Sequence, residues 1–218
     1  MSQDLTTQLR ETYTGEAGEA WARIERERPG TYWEENAVLG RQDMRVALLK
    51  RLQPIAGKLI LDAGCGRGVM ARYLAGEGAV VTAVDLIDEH VLEARKGADE
   101  HGVDFIVGDF RDALTGAEPF DDIILQEVLE DYKPDERLDT IFQLADSRSR
   151  RIHLIFRQRG RWGGLISPLL PDVLTPTLEA VSLFRSIHLH TPYRLSHQES
   201  IRRRSYNVQW AEFSLTLD

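Results

Sequence analysis

Cysteine is almost absent from this sequence, and long apolar runs are missing altogether. Cys65 is the only cysteine among 218 residues, so no disulfide can form within the chain. No stretch approaches the ~20 apolar residues that a membrane-spanning helix needs. The first residues also lack the basic and apolar parts of a secretory signal. We therefore expect a cytoplasmic chain with no membrane span.

Lysine is missing from residues 141–218, where eleven arginines face six acids. The whole chain carries a formal net charge of -8, which argues against a protein that coats nucleic acid phosphates. The C-terminal third is nevertheless locally basic. Its arginines either form a solvated surface or recognise an anionic group, because a guanidinium can pair with both oxygens of a carboxylate or phosphate. The arginines in question are Arg148, Arg150, Arg151, Arg157, Arg159 and Arg161.

Strand-like and helix-like segments alternate along the middle of the chain. The predicted strands cover residues 58–62, 79–85, 103–107, 122–125 and 151–156. Helices are predicted over about 69–76, 89–101 and 137–145, and two more are expected between residues 17 and 53. This alternation predicts a parallel sheet with helices on both faces. Residues 206–217 alternate in the manner of a closing strand, antiparallel and at or near the sheet edge.

We interpret residues 1–218 as one α/β domain with a doubly wound, Rossmann-like and mostly parallel seven-stranded sheet. The C-terminal strand is predicted to be antiparallel. Residues 1–55 would form an N-terminal helical lid, 56–160 a ligand-binding core, and 161–218 a substrate cover with the closing strands. The lid segments would lie over the carboxyl ends of the strands, where ligands bind in sheets of this kind.

A glycine-rich loop carries most of the functional information. Asp62, Gly64, Cys65, Gly66 and Gly68 follow the first predicted strand and precede a helix. Closely spaced glycines let a ligand approach the backbone, because any side chain would occupy that volume.

The second predicted strand ends at Asp85, roughly 20 residues beyond the glycines, where a doubly wound fold places an acid against a ribose. The two features together predict a nucleotide-like site.

The glycine spacing distinguishes among nucleotides. A dinucleotide site favours G-x-G-x-x-G, whereas this loop reads G-x-G-x-G and is preceded by Asp62, whose charge suits a cationic ligand and repels a pyrophosphate. The segment 62–68 resembles motif I of class I S-adenosylmethionine-dependent methyltransferases. A dinucleotide-dependent oxidoreductase is the disfavoured alternative.

The resemblance implies S-adenosyl-L-methionine as cofactor and a set of residues that bind it. Gly108-Asp109-Phe110 looks like the corner of the family that contacts adenine, and Gln126 begins a segment similar to its motif IV. Aromatic residues of the N-terminal lid would cover the site. The implied cofactor-binding residues are Asp62, Gly64, Cys65, Gly66, Gly68, Asp85, Leu86, Asp109, Phe110, Gln126, Tyr13 and Trp21.

The implied reaction is an in-line attack of a substrate atom on the sulfonium methyl group. Such a reaction needs alignment, exclusion of water and in some cases a base. His153, Tyr132 and Glu127 are the candidate catalytic residues. The histidines show no spacing typical of metal ligands, and we predict no metal site.

Narrower resemblances point to the substrate. Residues 19–23 and 40–45 look like the entry segment of magnesium-protoporphyrin IX methyltransferases, and residues 126–131 are similar to quinone-pathway and natural-product methyltransferases. We expect O-methylation of a small, apolar, acid-bearing molecule, such as a tetrapyrrole propionate or a natural-product intermediate, by a chain that forms a homodimer. A non-methylating S-adenosylmethionine-binding member of the fold, and an RNA methyltransferase suggested by Arg202, Arg203 and Arg204, stay open as alternatives.

Overall fold

The structure is a computed structural model that describes residues 32–96, 102–115, 118–158, 180–202 and 207–215, with Thr7 and Thr14. Its helices are α1 (Tyr32–Leu52), α2 (Val69–Gly76), α3 (Asp88–Arg95), α4 (Pro134–Asp146) and α5 (Ala180–His190). Its strands are β1 (Leu59–Ala63), β2 (Val80–Asp85), β3 (Val103–Val107), β4 (Asp122–Gln126), β5 (Arg151–Gln158), β6 (Tyr193–Arg202) and β7 (Asn207–Leu215).

The seven strands of the described residues form one sheet in the order β3-β2-β1-β4-β5-β7-β6. The pairs from β3 to β5 are parallel, and β7 runs antiparallel to both of its neighbours. Strand order reverses between β1 and β4, which is the point where ligands bind in doubly wound sheets. The predicted fold class is therefore confirmed.

Helices cover both faces of the sheet because its central strands are apolar on both sides. The four residues Ile60–Ala63 of β1 are all buried, as are Asp122–Leu125 of β4. One core joins α1, α2 and α3 to the sheet through residues such as Leu48, Leu74 and Val91. The opposite core joins α4 and α5 through Leu144 and Leu183.

The C-terminal part differs from the sequence prediction in one respect. The closing strand β7 is antiparallel and lies near the sheet edge, as expected, between β5 and β6. Residues 193–202, which the sequence pattern did not identify as a strand, form the edge strand β6. Its alternation is broken by a register shift between Leu195 and His197, which hides the period of two.

The predicted lid segments lie largely outside the described residues, which include neither 1–6 nor 159–179. Of the two helices expected between residues 17 and 53, the described part shows α1. None of the described helices is both long and apolar enough to cross a membrane.

Candidate functional site

A pocket opens at the carboxyl ends of β1, β2 and β4, around the glycine loop. Backbone hydrogen bonds from Gly64 N and Cys65 N to Val84 O, at 2.8 and 3.0 Å, hold the start of this loop against β2. Gly64, Gly66 and Gly68 all have positive φ angles, of 75°, 53° and 71°. Glycine adopts this conformation at no steric cost, so the loop turns sharply from strand into helix.

Gly66 and Gly68 serve different purposes in this loop. A Cβ at Gly66 would meet nothing within 4 Å, so the peptide there faces open space in the pocket. A Cβ at Gly68 would lie 2.5 Å from the Phe105 ring, because α2 packs closely against the sheet. Gly68 does not line the pocket in the described structure. The geometry therefore shows a packing role for Gly68, and its cofactor contact stays a prediction.

Asp85 connects the glycine loop to the end of β2. One carboxylate oxygen accepts from Gly66 N at 2.8 Å, and the other accepts from Ile87 N at 2.9 Å. His90 Nδ1 lies 3.6 Å from the same carboxylate. Asp85 lines the pocket, as the sequence predicts, and its oxygens also organise the turn that bears the open peptide.

Asp62 brings a carboxyl group to the pocket floor. It is 3% exposed, and its Oδ2 is buried without a hydrogen-bond partner. Burial raises the pKa of Asp62 to about 7, and the charge of Arg45 only partly offsets this effect. An unpaired oxygen beside an open backbone fits a ligand that brings a donor or a positive charge.

Cys65 also lines the pocket, but it is not an activated thiol. Burial is the main reason that its pKa is raised above the ordinary value, and the nearby charges of Asp62 and Asp85 raise it further. A neutral thiol is a poor nucleophile, so the residue acts as a small wall of the pocket.

The segment after β4 forms the other side of the pocket. Gln126, Glu127, Val128, Asp131 and Tyr132 all line it. Glu127 has a positive φ of 57°, an uncommon conformation for a non-glycine residue, and its N–H donates to Ile155 O at 2.7 Å. Two of the three predicted catalytic residues, Glu127 and Tyr132, therefore reach the pocket.

His153, the third candidate, does not. It is 0% exposed, and its Nε2 lies 2.7 Å from Asp122 Oδ1. Trp210 packs near the ring, with centroids 6.1 Å apart. His153 pairs with Ile124, two residues before the carboxyl end of β4, so it belongs to the sheet interior. The structure therefore places His153 away from the pocket, and its role as a catalytic base stays a prediction.

Asp109 is also absent from the pocket lining. Its carboxylate is engaged by the Arg111 guanidinium, with an NH2–Oδ2 distance of 2.6 Å, and it accepts from Arg111 N at 3.0 Å. Its neighbours Gly108 and Phe110 do line the pocket. Contact of this corner with adenine stays a prediction, with Phe110 placed at the pocket and the Asp109 carboxylate paired with Arg111.

The described arginines of the C-terminal third do not line the pocket. Arg157 is buried beside Glu127 and Glu130, and Arg150 and Arg151 pair with Asp121 and Asp122. Arg45 and Arg67, which sequence reasoning passed over, do line it. Their pairing partners are distant in sequence, so no local signal marks them. Tyr13, Trp21, Arg159 and Arg161 lie outside the described residues.

Comparison with known proteins agrees with this geometry. Residues 60–147 match a family model described as a methyltransferase domain. An S-adenosyl-L-methionine-dependent Diels–Alderase from Neonectria sp. (strain DH2) is 41% identical over 73 residues, which are 34% of this chain and 30% of that protein. A ubiquinone biosynthesis O-methyltransferase from Xylella fastidiosa (strain 9a5c) is 38% identical over 95 residues, 42% of this chain and 38% of that protein. The chain thus spans about a third of the length of these curated relatives.

Among solved structures, magnesium protoporphyrin IX methyltransferase from Synechocystis PCC 6803, with bound SAH, superposes with a TM-score of 0.82. The sequence identity is 22%, and the alignment covers 96% of this chain and 99% of that one. Such a likeness shows a shared fold. The match over residues 60–147 and the shared strand order show that this part of the chain is similar to methyltransferase domains and that the chain has their fold.

Proposed function

We propose that this chain transfers the methyl group of S-adenosyl-L-methionine to an oxygen atom of a small, apolar, acid-bearing molecule. The observation that carries the proposal is the open peptide at Gly66, bounded by the carboxylates of Asp85 and Asp62. A bare backbone between two acids suits a cationic nucleoside and disfavours a pyrophosphate.

The pocket residues fit this cofactor. Asp85 would hold the ribose, Phe110 would pack on the base, and the orphaned Oδ2 of Asp62 would accept from the cationic amino-acid part. When bound, the sulfonium supplies a methyl group that its positive charge has already activated for transfer. The protein then needs to align the acceptor and exclude water.

The acceptor would lie on the side formed by Glu127, Asp131 and Tyr132, across the strand-order reversal from Asp85. Oxygen is favoured as the acceptor atom because the Xylella relative is named an O-methyltransferase. A tetrapyrrole acid is supported by the Synechocystis structure, which aligns over nearly the whole chain. The homodimer and the cytoplasmic location stay predictions.

The test combines cofactor binding with methyl transfer. S-adenosylhomocysteine is titrated into the wild type by calorimetry, and methyl-labelled S-adenosylmethionine is then incubated with magnesium protoporphyrin IX and with a simple catechol. We expect binding, and transfer to one of these acceptors. Asp85→Asn should weaken binding of S-adenosylhomocysteine roughly tenfold, because a charge-assisted hydrogen bond is lost. Glu89→Gln, an exposed acid on the adjoining helix, is the matched control.

Three results would overturn the proposal in different ways. Binding of NAD without S-adenosylhomocysteine would indicate an oxidoreductase. Binding of S-adenosylhomocysteine without any methyl transfer would favour a non-methylating protein, the kind of activity for which the Neonectria relative is named. Transfer to RNA alone would indicate an RNA methyltransferase.

A further inference from the structure

A buried ion cluster lies directly behind the acceptor side of the pocket. It consists of Glu127 after β4, Glu130 in the short turn 129–131, and Arg157 near the end of β5. Arg157 Nε lies 3.2 Å from Glu127 Oε2 and 3.7 Å from Glu130 Oε1. The guanidinium therefore lies between the two carboxyl groups.

The cluster is almost completely buried. The side chains of Arg157, Glu127 and Glu130 are 2%, 5% and 0% exposed. Glu130 Oε1 also accepts from the backbone N–H of Arg157 at 2.8 Å. Glu130 therefore fixes the main chain of β5 as well as contacting the side chain that reaches Glu127.

Only Glu127 of the three lines the pocket. Its backbone is in the left-handed region, with a φ of 57°, a conformation that costs a non-glycine residue about 1–3 kcal/mol. Such strain is retained where the surrounding structure holds a side chain in one direction. Here the Ile155 carbonyl holds the backbone of Glu127, and Arg157 holds its carboxylate.

If Glu127 and Glu130 were both ionised, their two negative charges would exceed the single positive charge of Arg157. Burial, opposed only in part by Arg157, raises the pKa of Glu130 well above its ordinary value, which favours the protonated form. The single positive charge of Arg157 is then available to Glu127. A charge pair in a dry site has a defined geometry, which a solvated carboxylate lacks.

We propose that Arg157 and Glu130 are positioning residues that hold the carboxylate of Glu127 toward a hydroxyl acceptor, whose proton it receives. This inference rests on the proposed function and narrows the acceptor atom to a hydroxyl oxygen. The new oxygen–carbon bond forms as the sulfur–carbon bond breaks, with its electron pair left on sulfur. The acceptor proton passes to Glu127 and is later released to solvent.

The acceptor side favours a hydroxyl over a carboxylate. Glu127 and Asp131 both line this side, and like charges oppose the approach of an ionised acid. An ionised carboxylate also has no proton for Glu127 to receive. A hydroxyl must lose its proton, and a positioned base accelerates such a step roughly 10²–10⁴-fold.

The experiment uses the full chain, a catechol as the hydroxyl probe and benzoate as the carboxylate probe. Glu127→Gln should lower kcat with the catechol about 10²-fold, while the affinity for S-adenosylhomocysteine changes by less than about twofold. Arg157→Lys keeps the positive charge but loses the planar guanidinium with its several N–H donors. This variant should lower kcat more than it raises KM. Asp135→Asn, on the exposed start of α4, is the control that should match the wild type.

The Glu130→Gln variant distinguishes a positioning role of Glu130 from a purely structural one. The amide oxygen can still accept from Arg157 N, so the melting temperature should be largely kept. The wild-type pH–rate profile should bend at the pH where Glu130 ionises and competes with Glu127 for Arg157. We expect that bend to disappear in the variant, because glutamine does not titrate.

The outcomes distinguish failure of the proposed function from failure of this inference alone. A wild type that binds no S-adenosylhomocysteine, or that methylates neither these probes nor magnesium protoporphyrin IX, overturns the proposed function together with this inference. Methylation of benzoate or magnesium protoporphyrin IX without the catechol, a full catechol rate in Glu127→Gln, or an unchanged bend in Glu130→Gln overturns this inference and leaves methyl transfer intact.

Discussion

The backbone N–H of Gly66 donates a 2.8 Å hydrogen bond to the carboxylate of Asp85, nineteen residues later in the chain. This bond joins the loop after β1 to the end of β2. Gly66, whose backbone is open to the pocket, is therefore held in place by Asp85, the residue expected to bind the ribose. Changes at either position should affect cofactor binding together.

Gly66 and Gly68 should respond differently to substitution by alanine. Gly68→Ala would place a Cβ 2.5 Å from the Phe105 ring and 3.0 Å from Ala94 Cβ, at a φ of 71°. Overpacking and the left-handed backbone should together cost about 2–4 kcal/mol in the free energy of unfolding. Chemical denaturation of the variant and the wild type measures this difference.

Gly66→Ala is the matched control, since its Cβ meets nothing within 4 Å. Its backbone strain alone should cost about 1–2 kcal/mol, whereas its affinity for S-adenosylhomocysteine should fall more than that of any stable Gly68 variant. Equal destabilisation by the two substitutions would show that Gly68 has no packing role.

Asp62 should make cofactor affinity depend on pH. Its pKa is raised to about 7, mainly by burial, and a cationic ligand favours the ionised form. Binding of S-adenosylmethionine below that pH should therefore release a proton, and affinity should rise as pH increases toward 8. Calorimetry in two buffers of different ionisation enthalpy measures the released proton.

Asp62→Asn should bind S-adenosylmethionine more weakly and with little dependence on pH in the same range. An unchanged slope in this variant would assign the titration to a group other than Asp62.

Asp122 should contribute to stability at neutral pH and lose that contribution in acid. Burial alone would raise its pKa, but hydrogen bonds from His153 and Arg151 outweigh burial and lower the pKa to about 2. The folded-state pKa lies below the ordinary value of 3.8, so the stabilisation is complete above about pH 5 and lost toward pH 2. The shift corresponds to about 2 kcal/mol.

Asp122→Asn should therefore lower the melting temperature at pH 7 and flatten its decline between pH 5 and pH 3. Asp121→Asn offers a partly exposed neighbour for comparison. Parallel acid unfolding curves for wild type and Asp122→Asn would exclude this role for Asp122.

Tyr193 should stabilise the fold through its hydroxyl. The phenol donates to Ser149 O at 2.5 Å, and burial raises the pKa of Tyr193 to about 12. Tyr193→Phe leaves a buried carbonyl without its donor, so we expect a loss of about 1–2 kcal/mol by chemical denaturation. A Phe variant of wild-type stability would mean that Ser149 O finds another donor.

The sequence was sufficient for features that depend on neighbouring residues. The spacing of Gly64, Gly66 and Gly68 sets a strand-to-helix turn, and Asp85 follows at the distance that one helix and one strand impose. The parallel strands were predicted because both faces of the sheet are covered, so that runs such as residues 59–61 are apolar.

Features that depend on pairing between distant strands could not be predicted. His153 has the residue type of a base, but whether it faces a pocket follows from its register with Ile124 and from Trp210 packing above it. Arg157 contacts Glu127 across 30 residues and a helix, so no local pattern reveals the pair. Gly68 shows the same limit, because a packing glycine and a binding glycine look alike in one sequence.

The position of β7 between β5 and β6 has a consequence for synthesis on the ribosome. Residues 207–215 supply the only described partners for the outer side of β5 and the inner side of β6. They also carry Glu212, whose carboxylate lies 3.9 Å from His153 Nδ1 and 3.0 Å from Arg51 Nε. Until this segment leaves the exit tunnel, a nascent chain with all of its described pocket residues already translated would still present an unpaired strand edge to chaperones.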